Sequence, residues 1–257
     1  MVAPNKSLGQ HWLKDRLILE AIADAAELKP DDTVLEIGPG LGTLTSVLLT
    51  RAGKVVAVEF DKELAQKLPG QFPGKNLEVI QSDILSFDLT SLPEGFKVVG
   101  NIPYYITNKI VRKVSEGPHR PKISALLVQK EVAERIAAGP GEMSMLALAA
   151  QVYAEASLGV EVPRKYFTPP PEVDSQVIVL RTRSEPLVAP EDQAAFFRLA
   201  RAGFSEKRKK LRSSLAGGLH LEKSAVDALL LRAGINPEAR AQELSIDDWK
   251  RLLHELS

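Results

Sequence analysis

Short continuous runs of apolar residues occur throughout the N-terminal half of the chain, separated by segments with helical spacing. Continuous runs are typical of strands buried on both faces, so their alternation with helices predicts a parallel sheet covered on both sides. A first helix is predicted after Asp15, an N-cap residue that precedes a helical apolar pattern starting at Leu17. The predicted parallel strands cover residues 33–37, 54–59, 77–80, 96–100 and 123–128.

The pattern changes twice further along the chain. Strand-like segments at 156–162 and 176–181 flank the Pro-rich stretch 167–171, which is too short for a helical crossover, so we predict an antiparallel edge pair. Beyond a Pro-containing linker near residue 190, every apolar pattern is helical. The predicted domains are an α/β domain over residues 1–184 and a small all-helical domain over residues 185–257.

The amino-acid composition excludes several kinds of functional site. Lys plus Arg and Asp plus Glu both number 33, so the net charge is 0 and a nucleic-acid site has to be a local patch. The absence of cysteine excludes disulfides, thiolate metal sites and cysteine nucleophiles. None of the four histidines has metal-ligand spacing, so we expect no metal. No apolar run has the length of a signal peptide or a membrane span, and we expect a cytoplasmic monomer.

A glycine-rich turn follows the first strand, with Gly38, Gly40 and Gly42. Such a turn lets the backbone approach a ligand closely, but the third glycine is one position early for a dinucleotide motif. Glu59 ends the next strand and suits ribose hydroxyls, and Asp83 adds an acceptor for an adenine amino group. Acidic residues favour a cationic ligand over a pyrophosphate, which indicates S-adenosylmethionine, a sulfonium. A tight turn without a ligand is the alternative.

The segment Asn101-Ile102-Pro103-Tyr104 follows the fourth strand, at the edge where open α/β sheets bind ligands. The exocyclic amine of a nucleobase is a poor nucleophile, so an enzyme that methylates it needs acceptors for its hydrogens and an aromatic face for the base. Asn101 and a neighbouring backbone carbonyl can accept, Pro103 fixes the carbonyl direction and Tyr104 can stack. Because no cysteine is present, methylation of a pyrimidine carbon through a thiolate adduct is excluded, and transfer to nitrogen remains.

Several motifs together resemble the small-subunit ribosomal RNA adenine N6,N6-dimethyltransferase family, from about Ser7 to the last helix. The motifs occupy residues 9–13, 36–40, 58–59, 82–84, 101–104, 167–175 and 204–215. The resemblance implies a Rossmann-like, seven-stranded S-adenosylmethionine methyltransferase sheet with an antiparallel edge strand, plus a helical C-terminal domain that binds RNA. It implies as partner the small ribosomal subunit RNA or its assembly precursor.

The resemblance also implies roles for individual residues. Tyr104 and Phe167 would sandwich a flipped adenine next to Asn101 and Pro103. This chain has His11-Trp12 where the family usually has Asn-Phe, and Tyr105 where Asn is often found. The implied cofactor-binding residues are His11, Leu13, Glu36, Gly38, Gly40, Glu59, Asp83 and Asn101.

A basic run in the C-terminal part is the candidate RNA contact. Between Arg198 and Arg212 there are seven basic residues and one acid, Glu206, which gives a local charge of +6. Apolar positions within the run predict an anchored helix with a basic face, suited to a phosphate backbone. A solvated charged face is the alternative. The candidate RNA-binding residues are Lys207, Arg208, Lys209, Lys210 and Arg212, with Lys109, Arg112 and Lys113 as an extension.

Three other functions compete with a small-subunit rRNA adenine dimethyltransferase. A large-subunit rRNA methyltransferase of the macrolide-resistance type would share the site. A non-catalytic relative could bind RNA or DNA in ribosome assembly or transcription, although the intact Glu59, Asp83 and Asn101 argue against loss of activity. A dinucleotide oxidoreductase is disfavoured by the position of Gly42.

Overall fold

A computed structural model describes residues 10–206 and 208–256. They form two compact units: a sheet unit, up to Glu134 plus Ala154–Thr182, and a helical unit, Arg135–Tyr153 plus the chain from Arg183 onward. The division predicted at residue 184 differs from this in the segment 135–153. Ala147 and Leu148 of that segment are buried in one apolar cluster with residues of the C-terminal helices, a contact that local periodicity does not encode.

The sheet unit contains the predicted seven-stranded sheet. Its strand order is β4-β3-β2-β5-β6-β9-β7. β2 to β6 pair in parallel, whereas β9 is antiparallel to both β6 and β7, so the predicted antiparallel edge pair is confirmed. The strands are β1 (Trp12–Leu13), β2 (Thr33–Ile37), β3 (Lys54–Glu59), β4 (Leu77–Gln81), β5 (Lys97–Asn101), β6 (Ile123–Gln129), β7 (Ala154–Val162), β8 (Phe167–Thr168) and β9 (Ser175–Thr182).

Helices follow most of the parallel strands. The predicted cap at Asp15 is confirmed, because its carboxylate accepts a hydrogen bond of 3.1 Å from the Ile18 N–H. The helices are α1 (Arg16–Ala25), α2 (Thr43–Leu48), α3 (Lys62–Lys67), α4 (Thr107–Ser115), α5 (Lys130–Ala137), α6 (Met145–Gln151), α7 (Gln193–Phe204), α8 (Leu211–Leu219), α9 (Lys223–Arg232) and α10 (Ile246–Leu256).

A two-stranded pairing of β1 with β8 was not predicted. Leu13 is opposite Phe167 and Trp12 is opposite Thr168, in antiparallel register. The two strands are only two residues long and about 155 positions apart, so neither has a periodicity that a sequence pattern could reveal. The pairing joins the segment containing His11 to the Pro-rich stretch.

The helical unit corrects the prediction that the basic run between Arg198 and Arg212 forms one helix with a basic face. α7 ends at Phe204 and α8 begins at Leu211, so Arg208, Lys209 and Lys210 lie in the intervening loop. The reason is the packing of α7 on α8: a Cβ on Gly218 would lie 2.6 Å from the Ala202 Cβ. In one continuous helix these positions would be about 24 Å apart. The Leu211 N–H instead donates to the Ala239 carbonyl, at 2.8 Å.

Candidate active site

A cleft of about 310 Å³ lies at the carboxyl edge of the parallel strands. Ile37, Glu59 and Asn101 are the last residues of β2, β3 and β5, and all three line it. Ser82 and Asp83, which directly follow β4, line it as well. Parallel strands end at the same edge, so side chains far apart in sequence meet there.

Most of the predicted site residues meet at this cleft. Leu13 and Glu36 line an adjoining cavity of about 40 Å³ instead, together with Gly38 and Asn101. Gly40 and Phe167 are not among the residues lining either space. The predicted residues that line the cleft are His11, Gly38, Glu59, Asp83, Asn101, Pro103 and Tyr104.

Glu59 connects the glycine-rich turn to the end of β3. One carboxylate oxygen accepts the Gly40 N–H at 3.0 Å, and the other accepts the Asp61 N–H at 2.8 Å. Each oxygen keeps a lone pair for a further donor. Burial raises the pKa of Glu59, while the backbone hydrogen bonds from Asp61 and Gly40 oppose that rise. Gly40 therefore orders the loop through Glu59 rather than by lining the cleft.

Glu36 is a buried acid, and neither of its carboxylate oxygens has a hydrogen bond of normal geometry within the described residues. Burial raises the pKa of Glu36 to about 8, the nearby Thr45 opposes that rise, and the neighbouring Glu59 carboxylate adds to it. An unpartnered buried carboxyl group is costly unless a donor or cation approaches it. Next to it, a side chain on Gly38 would project into open space, so the glycine keeps the entrance of the turn clear.

His11 orients the two residues at the centre of the Asn-Ile-Pro-Tyr motif. The Asn101 Nδ2 donates to the His11 carbonyl at 3.0 Å, which directs the amide and leaves its oxygen to accept. The His11 ring stacks on Tyr104, with centroids 5.9 Å apart and planes 21° apart. Its Nδ1 lies 2.8 Å from the Pro169 carbonyl. On the far side of Tyr104, the phenol oxygen lies 2.8 Å from the Ser175 Oγ.

Unlike Tyr104, Phe167 is not among the residues that line the cleft. Its side chain is 3% exposed and belongs to the apolar cluster that also contains Leu13. The cause is the β1–β8 pairing, which places Phe167 opposite Leu13. In this structure the ring next to Tyr104 is His11.

Sequence reasoning missed some residues that line the cleft. Phe60 lines the cleft and is 57% exposed. Its position directly after Glu59 could have indicated this. Ile84 follows Asp83 in the same way. Tyr105 and Lys109 also line the cleft, although the motif pattern gave neither a role there.

Acidic side chains neutralise part of the predicted basic patch. Lys210 forms an ion pair with Glu238, an acid distant in sequence, and Arg212 lies 3.5 Å from the same carboxylate. Lys209 pairs with Glu206 at 2.6 Å. Arg208 is exposed in the loop, whereas Lys207 lies outside the described residues. The basic residues therefore do not form the basic face of a single helix, and acidic partners offset part of the local charge of +6.

The donor set of the cleft fits S-adenosylmethionine. Glu59 and Asp83 line the cleft and supply acceptors for ribose and adenine. The carboxyl group of Glu36, in the adjoining cavity, would suit the ammonium of the cofactor's methionine part. The exposed Phe60 ring suits the face of an adenine. Within the described chain, no group of three or more His, Asp or Glu residues could hold a metal ion. No helix in that part of the chain is long and apolar enough to cross a membrane.

Comparisons with known proteins support this chemistry. The sequence model of a family described as ribosomal RNA adenine dimethylase matches residues 1–257. A ribosomal RNA small subunit methyltransferase A from Dehalococcoides mccartyi is 44% identical over 251 residues, covering 96% of this chain and 86% of that protein. A protein of the same description from Moorella thermoacetica is 40% identical over 96% of this chain and 91% of its own length.

Two solved structures of methyltransferases or dimethyladenosine transferases are also similar to this chain. A dimethyladenosine transferase from Plasmodium falciparum has a TM-score of 0.81 and 28% identity, covering 96% of this chain and 97% of that one. The 23S rRNA methyltransferase ErmE has a TM-score of 0.78 and 33% identity, covering 95% and 99% of the two chains. Both likenesses extend over nearly the whole chain.

Proposed function

The chain belongs to the ribosomal RNA adenine dimethylase family, and from this we propose that it dimethylates the N6 of adenines in small-subunit ribosomal RNA, with S-adenosylmethionine as cofactor. The observation that carries the proposal is the tethered amide of Asn101 beside Tyr104, at the end of β5. The substrate is the RNA of the small subunit or of its assembly precursor, and relatives named for that subunit at 40–44% identity support this choice.

Asn101 and Tyr104 position the amine of the target base. The Tyr104 ring holds the face of an adenine that has left its stack, and burial raises the pKa of the phenol, so it stays neutral. The Asn101 amide oxygen accepts one amine hydrogen, and the Ile102 or Pro103 carbonyl accepts the other. Acceptors on the hydrogens draw the nitrogen lone pair out of the ring, which makes the amine a better nucleophile.

Other residues in and next to the cleft would hold the cofactor. When bound, S-adenosylmethionine supplies a methyl group on a positively charged sulfur. Glu59 accepts hydrogen bonds from the ribose hydroxyls while it keeps the Gly40 loop in place. Asp83 accepts from the adenine amino group, and Glu36 balances the ammonium. His11 contributes through its backbone carbonyl, since that atom tethers Asn101.

Labelled S-adenosylmethionine and separated ribosomal subunits test the proposal. Small subunits reconstituted from transcribed, unmodified RNA should acquire N6,N6-dimethyladenosine, with monomethyladenosine as an intermediate only. Mass spectrometry of the digested RNA identifies the product, and Asn101→Ala is the control with strongly reduced turnover. A product that stops at one methyl group contradicts the proposal.

Methylation of the large subunit is the second candidate, because ErmE is 33% identical to this chain. Label in large-subunit RNA and none in small-subunit RNA would favour that candidate. A protein that binds S-adenosylmethionine but labels neither RNA would be the non-catalytic relative. The labelling assay together with a measurement of S-adenosylmethionine binding therefore separates all three functions.

A further inference from the structure

Tyr105 is a large aromatic residue left exposed at the cleft. It directly follows Tyr104, in the short 3₁₀ turn Tyr104–Ile106, and its side chain is 64% exposed. It lines the same cleft as Asn101, yet the mechanism above does not use it. An exposed aromatic ring at the edge of a binding cleft is typical of a contact surface, since burial in a core does not explain it.

Lys109 places a positive charge on the same rim. It lies four residues after Tyr105, at the start of α4, and it also lines the cleft. Its neighbours on the helix are engaged: Arg112 pairs with Glu116 at 2.7 Å, and the Lys113 Nζ donates to the Leu85 carbonyl at 3.2 Å. Within the described chain Lys109 forms no ion pair, so its charge is available to an anion.

An aromatic face beside a free cation is the combination that binds single-stranded RNA. A flipped adenine in the cleft leaves its neighbour in the strand unstacked near the rim, with a phosphate between the two nucleotides. The ring can replace the lost stacking partner, and the ammonium can pair with the phosphate.

We propose that Tyr105 and Lys109 bind the nucleotide next to the target adenine, with the Tyr105 ring stacked on its base and Lys109 paired with its phosphate. The inference rests on the proposed function and specifies an RNA contact outside the residues that hold the adenine. Stacking tolerates any base, so the pair selects an unstacked neighbour rather than a particular sequence.

Kinetics on reconstituted small subunits provide the first test. Tyr105→Ala should lower kcat/KM for the subunit about tenfold, mainly through KM, because one base–aromatic stack is lost. Tyr105→Phe should restore it, since the ring and not the hydroxyl acts. Lys109→Ala should also raise KM. Leu17→Ala, which removes a 77% exposed side chain from α1, is the surface control and should match the wild type. S-adenosylmethionine affinity, measured by calorimetry, should be unchanged throughout.

A second test does not depend on methyl transfer. A short adenylate RNA with 2-aminopurine at one position reports stacking by loss of fluorescence. The wild type and Tyr105→Phe should quench it, and Tyr105→Ala should not. Equal quenching by all three proteins, or a Tyr105→Ala enzyme with unchanged KM, would overturn the inference. Wild-type methylation of the subunit would still support the proposed function in that case, so the two failures are distinguishable.

Discussion

Glu36 sits in an environment that disfavours its charged form. Burial and the nearby Glu59 carboxylate raise the pKa of Glu36 to about 8 from its ordinary value of 4.5. The folded state therefore holds a proton that the unfolded chain has already released at neutral pH. Stability from this group is fully present below pH 4.5 and is lost as the pH rises toward 8.

Glu36→Gln should remove this pH dependence, because the amide mimics the protonated acid. The variant should gain free energy of unfolding relative to the wild type as the pH rises from about 4.5 to about 8. The gain should be at most about 1.4 kcal/mol per pH unit. Urea unfolding across that range measures it, and parallel profiles for the two proteins would refute the account.

The same carboxyl group gives a second readout with the cofactor. A bound ammonium favours the charged carboxylate, so S-adenosylmethionine binding to the wild type should release a proton near neutral pH. Calorimetry in two buffers of different ionisation enthalpy counts released protons. Glu36→Gln should release fewer, whatever its methylation activity.

Asn101 combines an acceptor for the substrate with a tether to His11. Asn101→Ala removes both, and we expect turnover on small subunits to fall about 10²–10³-fold, the effect of deleting one positioned hydrogen bond in a transition state. Cofactor affinity should fall far less, because Glu59 and Asp83 remain. Turnover at saturating substrates, with calorimetry alongside, measures the two effects. Near-normal turnover would be incompatible with the assigned role.

At the scale of elements, the contact between α7 and α8 depends on the absence of a side chain. A Cβ on Gly218 would lie 2.6 Å from the Ala202 Cβ and 2.9 Å from its Cα, so one helix would have to shift. The adjacent Gly217 of α8 has open space around it. A Cβ therefore has room at Gly217, whereas at Gly218 it would collide with Ala202.

Gly218→Ala should destabilise the protein by about 1–3 kcal/mol, the usual cost of overpacking. Gly217→Ala is the matched variant and should stabilise it by up to about 1 kcal/mol, because alanine has the higher helix propensity. Chemical denaturation of both variants measures the difference. Equal effects of the two substitutions would show that the close contact does not control stability.

At the scale of the whole molecule, the net charge is 0, so RNA has to be attracted by unneutralised local cations. Arg198 and Arg201 are exposed on α7, and Arg208 is exposed in the loop that follows. None of these three arginines forms an ion pair within the described residues, whereas Lys210 and Arg212 face Glu238.

Replacing Arg198, Arg201 and Arg208 with glutamine should flatten the salt dependence of small-subunit RNA binding. Each lost phosphate contact should reduce the slope of log affinity against log salt by about 0.7–0.9. The double variant Lys210→Gln, Arg212→Gln should change the slope less per residue replaced, because these cations already have acidic partners. A filter-binding series over salt concentration tests this. If both variants leave the slope unchanged, the basic run is a solvated face.

The amino-acid sequence alone determined the features that depend on local order. Continuous apolar runs specify strands buried on both faces, and all seven were predicted close to their observed bounds. Parallel strands end at one edge, so residues placed just after them, such as Glu59, Asp83 and Asn101, had to meet. These inferences need only periodicity and chain order.

Only the tertiary structure decided the features that join distant segments. The β1–β8 pairing buries Phe167 and brings His11 to Tyr104. The packing of Gly218 on Ala202 breaks the expected basic helix, and Glu238 neutralises part of its charge. Burial and cross-chain ion pairs arise from which surfaces fit together once the elements have formed, and the spacing of residues along the chain does not encode that fit.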